Sequence, residues 1–453
     1  MSSKPGSQAG FEQDDAAPRK LRPRRGALSR AQVRRHQRAR LRSAIVARTL
    51  AEGYGAITAR SLCARAGVST RTLYEIYPDG KEGCLRDAYE AILARLLSRA
   101  QPAGASRVGW RMRVERALGA LLTGLAEEPQ EGRFALFAPV VAGPAGAATV
   151  ARAGARAERV VASAFAQAPA RLRPPPLHAK LVIGGIARVA AARLLSGRAA
   201  ELPNLAGELV EWSLRYCSPA LAQLPQRAAG AAEDFQPSWP GPLDERTALL
   251  EAAARMVART GYERLSAAAV ARESGLSADA FYRHFADCEE CFRSALRLIA
   301  ARSLALAAGA AQEGGCWQGG IHRAVLALAR YLASDPAVGR CVFIEVSALG
   351  EAGLLEKEAL LEPLIALHRE LTSPVQAGSL LQSEATVGGA WQIVRHYVLA
   401  GRLRTAAERA PYLSYLALVP AVGARAAVRA ICAEEGRLAR ERRRALRSSS
   451  SRR

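Results

Sequence analysis

The chain has 453 residues, half of them apolar and 23% charged, with aromatic residues at only 6%. That is enough apolar material to bury a core in more than one domain, and it excludes a wholly disordered chain. The 64 Lys and Arg outnumber the 41 Asp and Glu, leaving a net charge of +23, and only five of the cations are Lys. Guanidinium groups are the better phosphate partners, so a polyanion, with nucleic acid first, is the expected partner. Ala and Arg dominate and are good helix formers, which predicts an all-α fold. The eight Cys (63, 84, 217, 288, 291, 316, 341, 432) are scattered, without a disulfide framework, and read as reduced thiols.

In chain order, residues 1–36 read as a disordered basic arm carrying Arg19, Arg22, Arg24, Arg25, Arg30, Arg34 and Arg35. Such an arm suits a minor groove or a row of phosphates. Its polar start has no apolar signal segment, so the expected location is the cytoplasm. An amphipathic helix over about 37–52 ends at Gly53-Tyr54, where a residue free to adopt positive φ is wanted. Thr58 then caps a short helix, Ala59–Ala66, and Gly67-Val68-Ser69 supplies a tight turn, an apolar plug and a cap for a third helix from Thr70 to Tyr77. This is a helix-turn-helix whose third helix is short enough for a major groove, within a head spanning 37–92. Residues 93–218 follow as a larger helical domain. Their longest uncharged run, Phe134 to Ala151, is interrupted by Pro139 and Pro144, so it reads as buried helix plus turn and no membrane partner is expected. Residues 219–242, rich in Pro, Ala, Gln and Gly, read as a linker.

The pattern then repeats. Residues 41–85 laid over 249–293, an offset of 208 without a gap, share ten identities, among them Gly53/Gly261, Tyr54/Tyr262, Gly67/Gly275, Ser69/Ser277 and Tyr74/Tyr282. Trp110 and Pro129 recur as Trp317 and Pro336, and Gly184-Gly185 and Gly197-Arg198 recur as Gly388-Gly389 and Gly401-Arg402. Landmarks in constant order with a drifting offset indicate duplication of a whole unit. The second copy comprises a head at 243–298 and a helical domain at 299–435, with a basic tail at 436–453 that is expected to fray.

The run Ala66-Gly67-Val68-Ser69-Thr70-Arg71-Thr72-Leu73-Tyr74-Glu75-Ile76-Tyr77-Pro78-Asp79-Gly80-Lys81-Glu82 resembles the signature of the tetracycline-repressor (TetR/AcrR) family of transcriptional regulators. So does Ser274-Gly275-Leu276-Ser277-Ala278-Asp279-Ala280-Phe281-Tyr282-Arg283-His284-Phe285-Ala286-Asp287. The resemblance implies two tandem units, each with a three-helix DNA-binding head and a helical regulatory and dimerisation domain. It implies operator DNA as partner, an unknown small-molecule effector, and pairing through the double-Gly helices, with Gly184, Gly185, Gly388 and Gly389 at an interface formed within the chain or in a homodimer. By the same resemblance Thr58, Ser69, Thr70, Arg71, Thr72, Tyr74 and Lys81 contact DNA in the first head, with Arg71 able to read a guanine and Lys81 to grip a phosphate.

The second head departs from the pattern. Ser266, Ser277, Ala278, Asp279, Tyr282, Arg283 and His284 occupy the corresponding region, but Asp279 is acidic and Cys288-Glu289 replaces the Lys. Residues 33–92 hold 11 basic and 6 acidic residues, whereas 241–300 hold 8 and 9. The first head is therefore expected to carry most of the electrostatic affinity. The effector pockets are expected around Trp110, Phe134 and Phe137 and around Trp317, Phe343 and Trp391, residues that serve equally as plain core. Cys288-x-x-Cys291 lacks a second pair, so neither metal nor cofactor is expected, and no catalytic motif suggests an enzyme. Two other readings stay open: a sequence-independent architectural DNA binder, and a ligand-sensing or interaction module with a decayed second head.

Overall fold

The structure, a computed structural model, describes residues 29–100, 109–141, 143–166, 168–169, 174–225, 244–375 and 379–450. Residues 1–28 of the expected arm, 226–242 of the expected linker, 451–453 of the tail and the side chain of Phe137 lie outside the described residues. The described residues form helices and turns and no strand. The chain divides into a smaller unit, Met1–Tyr89, and a larger one, Glu90–Arg453.

The smaller unit contains α1 (Arg30–Glu52), α2 (Ala59–Ala66), α3 (Thr70–Ile76) and the first part of α4 (Lys81–Arg99). Helix α1 starts well before residue 37, which corrects the expectation of a disordered arm up to residue 36. Ser29 Oγ accepts from the Gln32 N–H at 3.2 Å while Gln32 Oε1 accepts from the Ser29 N–H at 2.8 Å, a reciprocal cap that gives this polar stretch a defined start. Leu41, Ile45, Ile57, Leu62, Leu73 and Leu85 are buried together as its core. One polar cluster sits beside them. Asp87 accepts from Arg38 Nε at 2.8 Å, from Arg42 Nε and Nη2 at 2.5 and 2.6 Å, and from the Tyr77 hydroxyl at 2.5 Å. A single carboxylate thus joins α1, the end of α3 and α4. Although burial pushes the Asp87 carboxyl up, the hydrogen bonds from Arg42, Arg38 and Tyr77 hold it well below the ordinary carboxylate range.

The larger unit continues with α5 (Trp110–Glu127), α6 (Pro129–Val141), α7 (Gly143–Ala166), α8 (His178–Leu195) and α9 (Ala206–Leu214). The uncharged run at 134–151 thus ends α6 and begins α7. A second helix-turn-helix follows as α10 (Glu245–Thr260), α11 (Ala267–Ser274) and α12 (Ala278–His284). After it come α13 (Cys288–Gln312), α14 (Trp317–Ser334), α15 (Pro336–Phe343), α16 (Gly350–Thr372), α17 (Leu380–Leu399), α18 (Leu403–Glu408), α19 (Ala410–Val422) and α20 (Ala424–Ser450). Helix α13 is long and apolar enough to cross a membrane by composition, but its Cys291, Phe292, Ala295 and Leu296 are buried against α10 and the helices behind it. Burying a Phe or Leu side chain such as Phe292 or Leu296 stabilises by about 1.5–3 kcal/mol.

Helices α8 and α17 approach each other most closely. A Cβ added to Gly184 would lie 2.6 Å from the Gly388 carbonyl oxygen, and one added to Gly388 would lie 2.8 Å from the Gly184 carbonyl oxygen. Likewise, a Cβ on Gly185 would lie 2.8 Å from the Ala385 oxygen and one on Gly389 2.8 Å from the Leu181 oxygen. An offset of 204 carries each of these contacts onto its counterpart, so the crossing has local two-fold character. The helix ends obey the same offset. Arg198 N–H donates to Arg193 O at 2.7 Å across Gly197, and Arg402 N–H donates to Tyr397 O at 2.8 Å across Gly401.

The basic tail is also corrected. Rather than fraying from residue 436, α20 remains helical to Ser450. Arg323 on α14 holds it through Glu434 at 2.5 Å and Glu441 at 2.8 Å, and His322 meets Glu435 at 2.8 Å.

Candidate nucleic-acid interface and helix cavities

In the first head, the turn before α3 is built by side-chain caps. Thr58 Oγ1 accepts from the Ser61 N–H at 3.1 Å, starting α2, and Ser69 Oγ accepts from the Thr72 N–H at 3.1 Å, starting α3. Between them Gly67 adopts φ +59, a left-handed conformation that Gly adopts without a steric cost, and the Val68 N–H closes the turn onto Cys63 O at 3.1 Å. Leu73 and Tyr77 point inward, which leaves Thr70, Arg71 and Tyr74 outward. Arg71 is 89% exposed and Tyr74 53% exposed. Arg71 pairs with Glu75 at 2.8 Å one turn away, and an exposed pair of this kind contributes only about 0.3–0.5 kcal/mol. Arg71 can therefore turn to a base edge at little cost. Arg34 on α1 donates to the Glu75 carbonyl at 3.0 Å, bracing α3 from the side of the basic stretch.

Lys81, expected to grip a phosphate, also has contacts within the head. Its Nζ donates to the Ile57 carbonyl at 2.7 Å and lies 4.4 Å from the centre of the Tyr54 ring, tying the start of α4 to the α1–α2 turn. With three donors an ammonium can keep those partners and still meet a phosphate.

The second head repeats these bonds. Ser266 Oγ accepts from Ala269 N–H at 3.4 Å, Ser277 Oγ from Ala280 N–H at 3.1 Å, and Leu276 N–H closes onto Ala271 O at 2.9 Å across Gly275, with φ +73. Ala278 and Asp279 are exposed at the start of α12, and Tyr282 is 62% exposed in the place of Tyr74. Two of its polar side chains, however, share one carboxylate. Glu245 Oε2, at the start of α10, lies 3.2 Å from Arg283 Nη2 and 3.3 Å from His284 Nε2. The polar cluster of the first head is also gone: Leu250, Phe285 and Ala295 stand where Arg42, Tyr77 and Asp87 stand, and all three are buried in one apolar core. Arg246, at the place of Arg38, lies over the Phe285 ring at 5.3 Å. Nothing local in the sequence marks Asp87 or Glu245, because their arginine and histidine partners lie dozens of positions away.

Two cavities of about 200 and 210 Å³ lie within the larger unit. The first is lined on α8 by Val182, Ile183, Ile186, Ala187 and Ala190, and the second on α17 by Thr386, Val387, Ala390, Trp391 and Val394. These sets correspond one for one at the 204 offset. On α5, Val114, Ala117, Leu118, Leu121 and Leu125 line the first cavity, and on α14 their counterparts at an offset of 207, Ile321, Ala324, Val325, Leu328 and Leu332, line the second. Both are walled by hydrocarbon, and none of their lining residues is Asp, Glu, Lys or Arg. Of the aromatic residues expected there, Phe343 and Trp391 line the second cavity with ring centres 4.2 Å apart. Trp110, Phe134 and Trp317 are not among the lining residues; Phe134 is fully buried, and Trp110 instead meets Phe165, which does line the first cavity, at 6.3 Å. Polar groups on these walls are committed. His368 lies 2.9 Å from the Ala417 carbonyl and 3.0 Å from Ser383 Oγ, and burial pushes its imidazole pKa down.

Among the described residues no three His, Cys, Asp or Glu side chains gather as a metal site. Burial pushes the Cys291 thiol up to about 12 and raises that of Cys288.

Residues 249–295 match the family described as bacterial regulatory proteins, tetR family, which supports DNA binding and transcription regulation. Among solved structures, the chain is similar to the fatty acid degradation regulator FadR from Bacillus halodurans, at 17% identity over 40% of this chain and 97% of that one, with a TM-score of 0.35. It is also similar to a TetR-like transcriptional regulator from Rhodococcus sp. RHA1, at 20% identity over 42% of this chain and 98% of that one, with a TM-score of 0.35. No curated protein is similar enough to count as a match.

Proposed function

We propose that the chain is a ligand-responsive transcriptional repressor built of two TetR-like units, which pair with each other inside one chain and bind a single operator. What supports this reading is a set of matched local features in the two halves of the chain. The same caps build two helix-turn-helix heads, the same offsets map one cavity onto the other, and α8 crosses α17 as its own counterpart. The first head, with Arg71 and Tyr74 outward and the larger share of cations, makes the stronger half-site contact. Asp279 in the second head favours a cytosine amino group, so the two half-sites differ. An apolar effector entering a cavity separates the helices that line it, and DNA affinity falls through that coupling.

A second reading has one observation in its favour. Glu245 already holds Arg283 and His284, so the second head could serve the fold without gripping phosphate. Binding-site selection with the purified chain separates the two. Enrichment of a site with two unlike halves supports the proposal, enrichment of one half alone supports a decayed second head, and no enrichment over random duplex defeats both in favour of a sequence-independent binder.

A further inference from the structure

Resting on the internal-pairing reading, we infer that Arg193 on α8 and Glu384 on α17 make their crossing selective: α8 accepts α17 and rejects a second α8. The two side chains meet at 2.5 Å, and they are 7% and 6% exposed. Around the crossing axis the glycine contacts are interchangeable between the two helices, so backbone shape alone would allow α8 to pair with α8 and α17 with α17. The charges away from the axis are not interchangeable. At the 204 offset Arg193 corresponds to Tyr397, and Glu384 corresponds to Lys180.

If α8 met a second α8, Lys180 would stand where Glu384 stands, and the two-fold would place Arg193 against Lys180 twice. Each Lys180 would bring its own partner Glu158, and Arg193 would keep Glu201 at 3.9 Å, but that carboxylate is half-exposed. If α17 met a second α17, the buried Glu384 would face Tyr397 and lose its cation. Removing one member of a buried ion pair is far more damaging than replacing both, so each like pairing carries two such defects. Attraction in one combination and mismatch in the other two is how specificity among similar surfaces is set. The Lys180 end supports the register: His396, next to Tyr397, has its imidazole pushed down by burial and then by the Lys180 charge.

Charge reversal in the full chain tests this. In Arg193→Glu the side chain opposes Glu384 within the chain but matches Lys180 of a second α8. Sedimentation across a hundredfold concentration range should show the wild type at 48.2 kDa. Arg193→Glu should move to twice that mass and melt lower, and Arg193→Glu/Glu384→Arg should return to the single-chain mass and recover the melting temperature. A single variant that keeps the wild-type mass and melting temperature overturns the inference, as does a double variant that recovers neither. Wild-type chain at twice the mass overturns the internal-pairing reading itself.

Discussion

Gly184 and Gly388 face each other across the α8–α17 crossing so closely that neither has room for a methyl group: each would place its Cβ within 2.8 Å of the other's carbonyl oxygen. The obstructing atoms are the carbonyl oxygens and the Cβ atoms of Gln392 and Arg188, all fixed to the backbone and unable to rotate aside. Gly184→Ala and Gly388→Ala should therefore each destabilise by about 1–3 kcal/mol, the usual cost of overpacking. Gly119 in α5 provides the opposite case, because its added Cβ would meet only Ala206 Cβ at 3.8 Å. Gly119→Ala should be neutral or stabilising by up to about 1 kcal/mol, as for Gly to Ala within a helix. Denaturant melts of the three variants check the contrast.

Asp87 anchors the first head alone. Asp87→Ala leaves Arg38, Arg42 and Tyr77 without their shared acceptor and should destabilise that head by about 1–3 kcal/mol, a range lowered by the partial exposure of both Arg. The sign with pH follows from the depressed carboxyl. The stabilisation is complete above the unfolded value of about 3.9 and is lost as pH falls from there toward the lower folded value. The second head has Ala295 at this place and so lacks this dependence on pH. Hydrogen exchange measured between pH 3 and pH 5 should show the α1–α3 amides losing protection in acid before those of α10–α12.

His178 supplies a second dependence on pH, at a milder range. Its Nε2 lies 2.9 Å from the Ser213 carbonyl, and burial pushes its pKa down to about 4. The unfolded imidazole titrates near 6.5, so stability is complete above that value and falls as pH drops toward 4. The two values imply a loss on the order of 3 kcal/mol. His368, also depressed, acts in the same direction. Thermal melts at pH 7.5 and pH 4.5 should differ less in His178→Gln than in the wild type.

Much of this architecture was legible from residue type and spacing. Thr58, Gly67 and Ser69, with their counterparts 208 positions on, fixed α2 and α11 to the residue, because caps and left-handed glycines are local requirements. The double-Gly pairs were legible because backbones that meet closely leave few residue choices. Aromatic residues suggest only part of the cavities, because their walls are mostly Val, Leu, Ile and Ala at helical spacing, a pattern that any helical core shares. The tail looked disordered because Arg and Ser dominate it, and only Arg323, more than a hundred residues earlier, explains why Glu434 and Glu441 hold it as a helix.

Arg71 and Arg283 should separate base reading from charge. Arg71→Ala should reduce affinity by about 1–3 kcal/mol for the selected site and act mainly at one base position. Arg283, held by Glu245, should cost less when replaced by Ala, and any loss should be spread evenly over sequences. A phosphate contact would also lower the slope of log affinity against log salt by roughly 0.9. Titrations of both variants against single-base variants of the site distinguish these patterns.

The most direct test of internal pairing is the mass of the protein–DNA complex on the selected site, measured by native mass spectrometry over a range of protein concentrations. One chain of 48.2 kDa per duplex, on a site whose halves differ, is the predicted result. Two chains per duplex on a palindromic site would contradict it, making the chain a conventional dimer whose second heads stand apart from the operator.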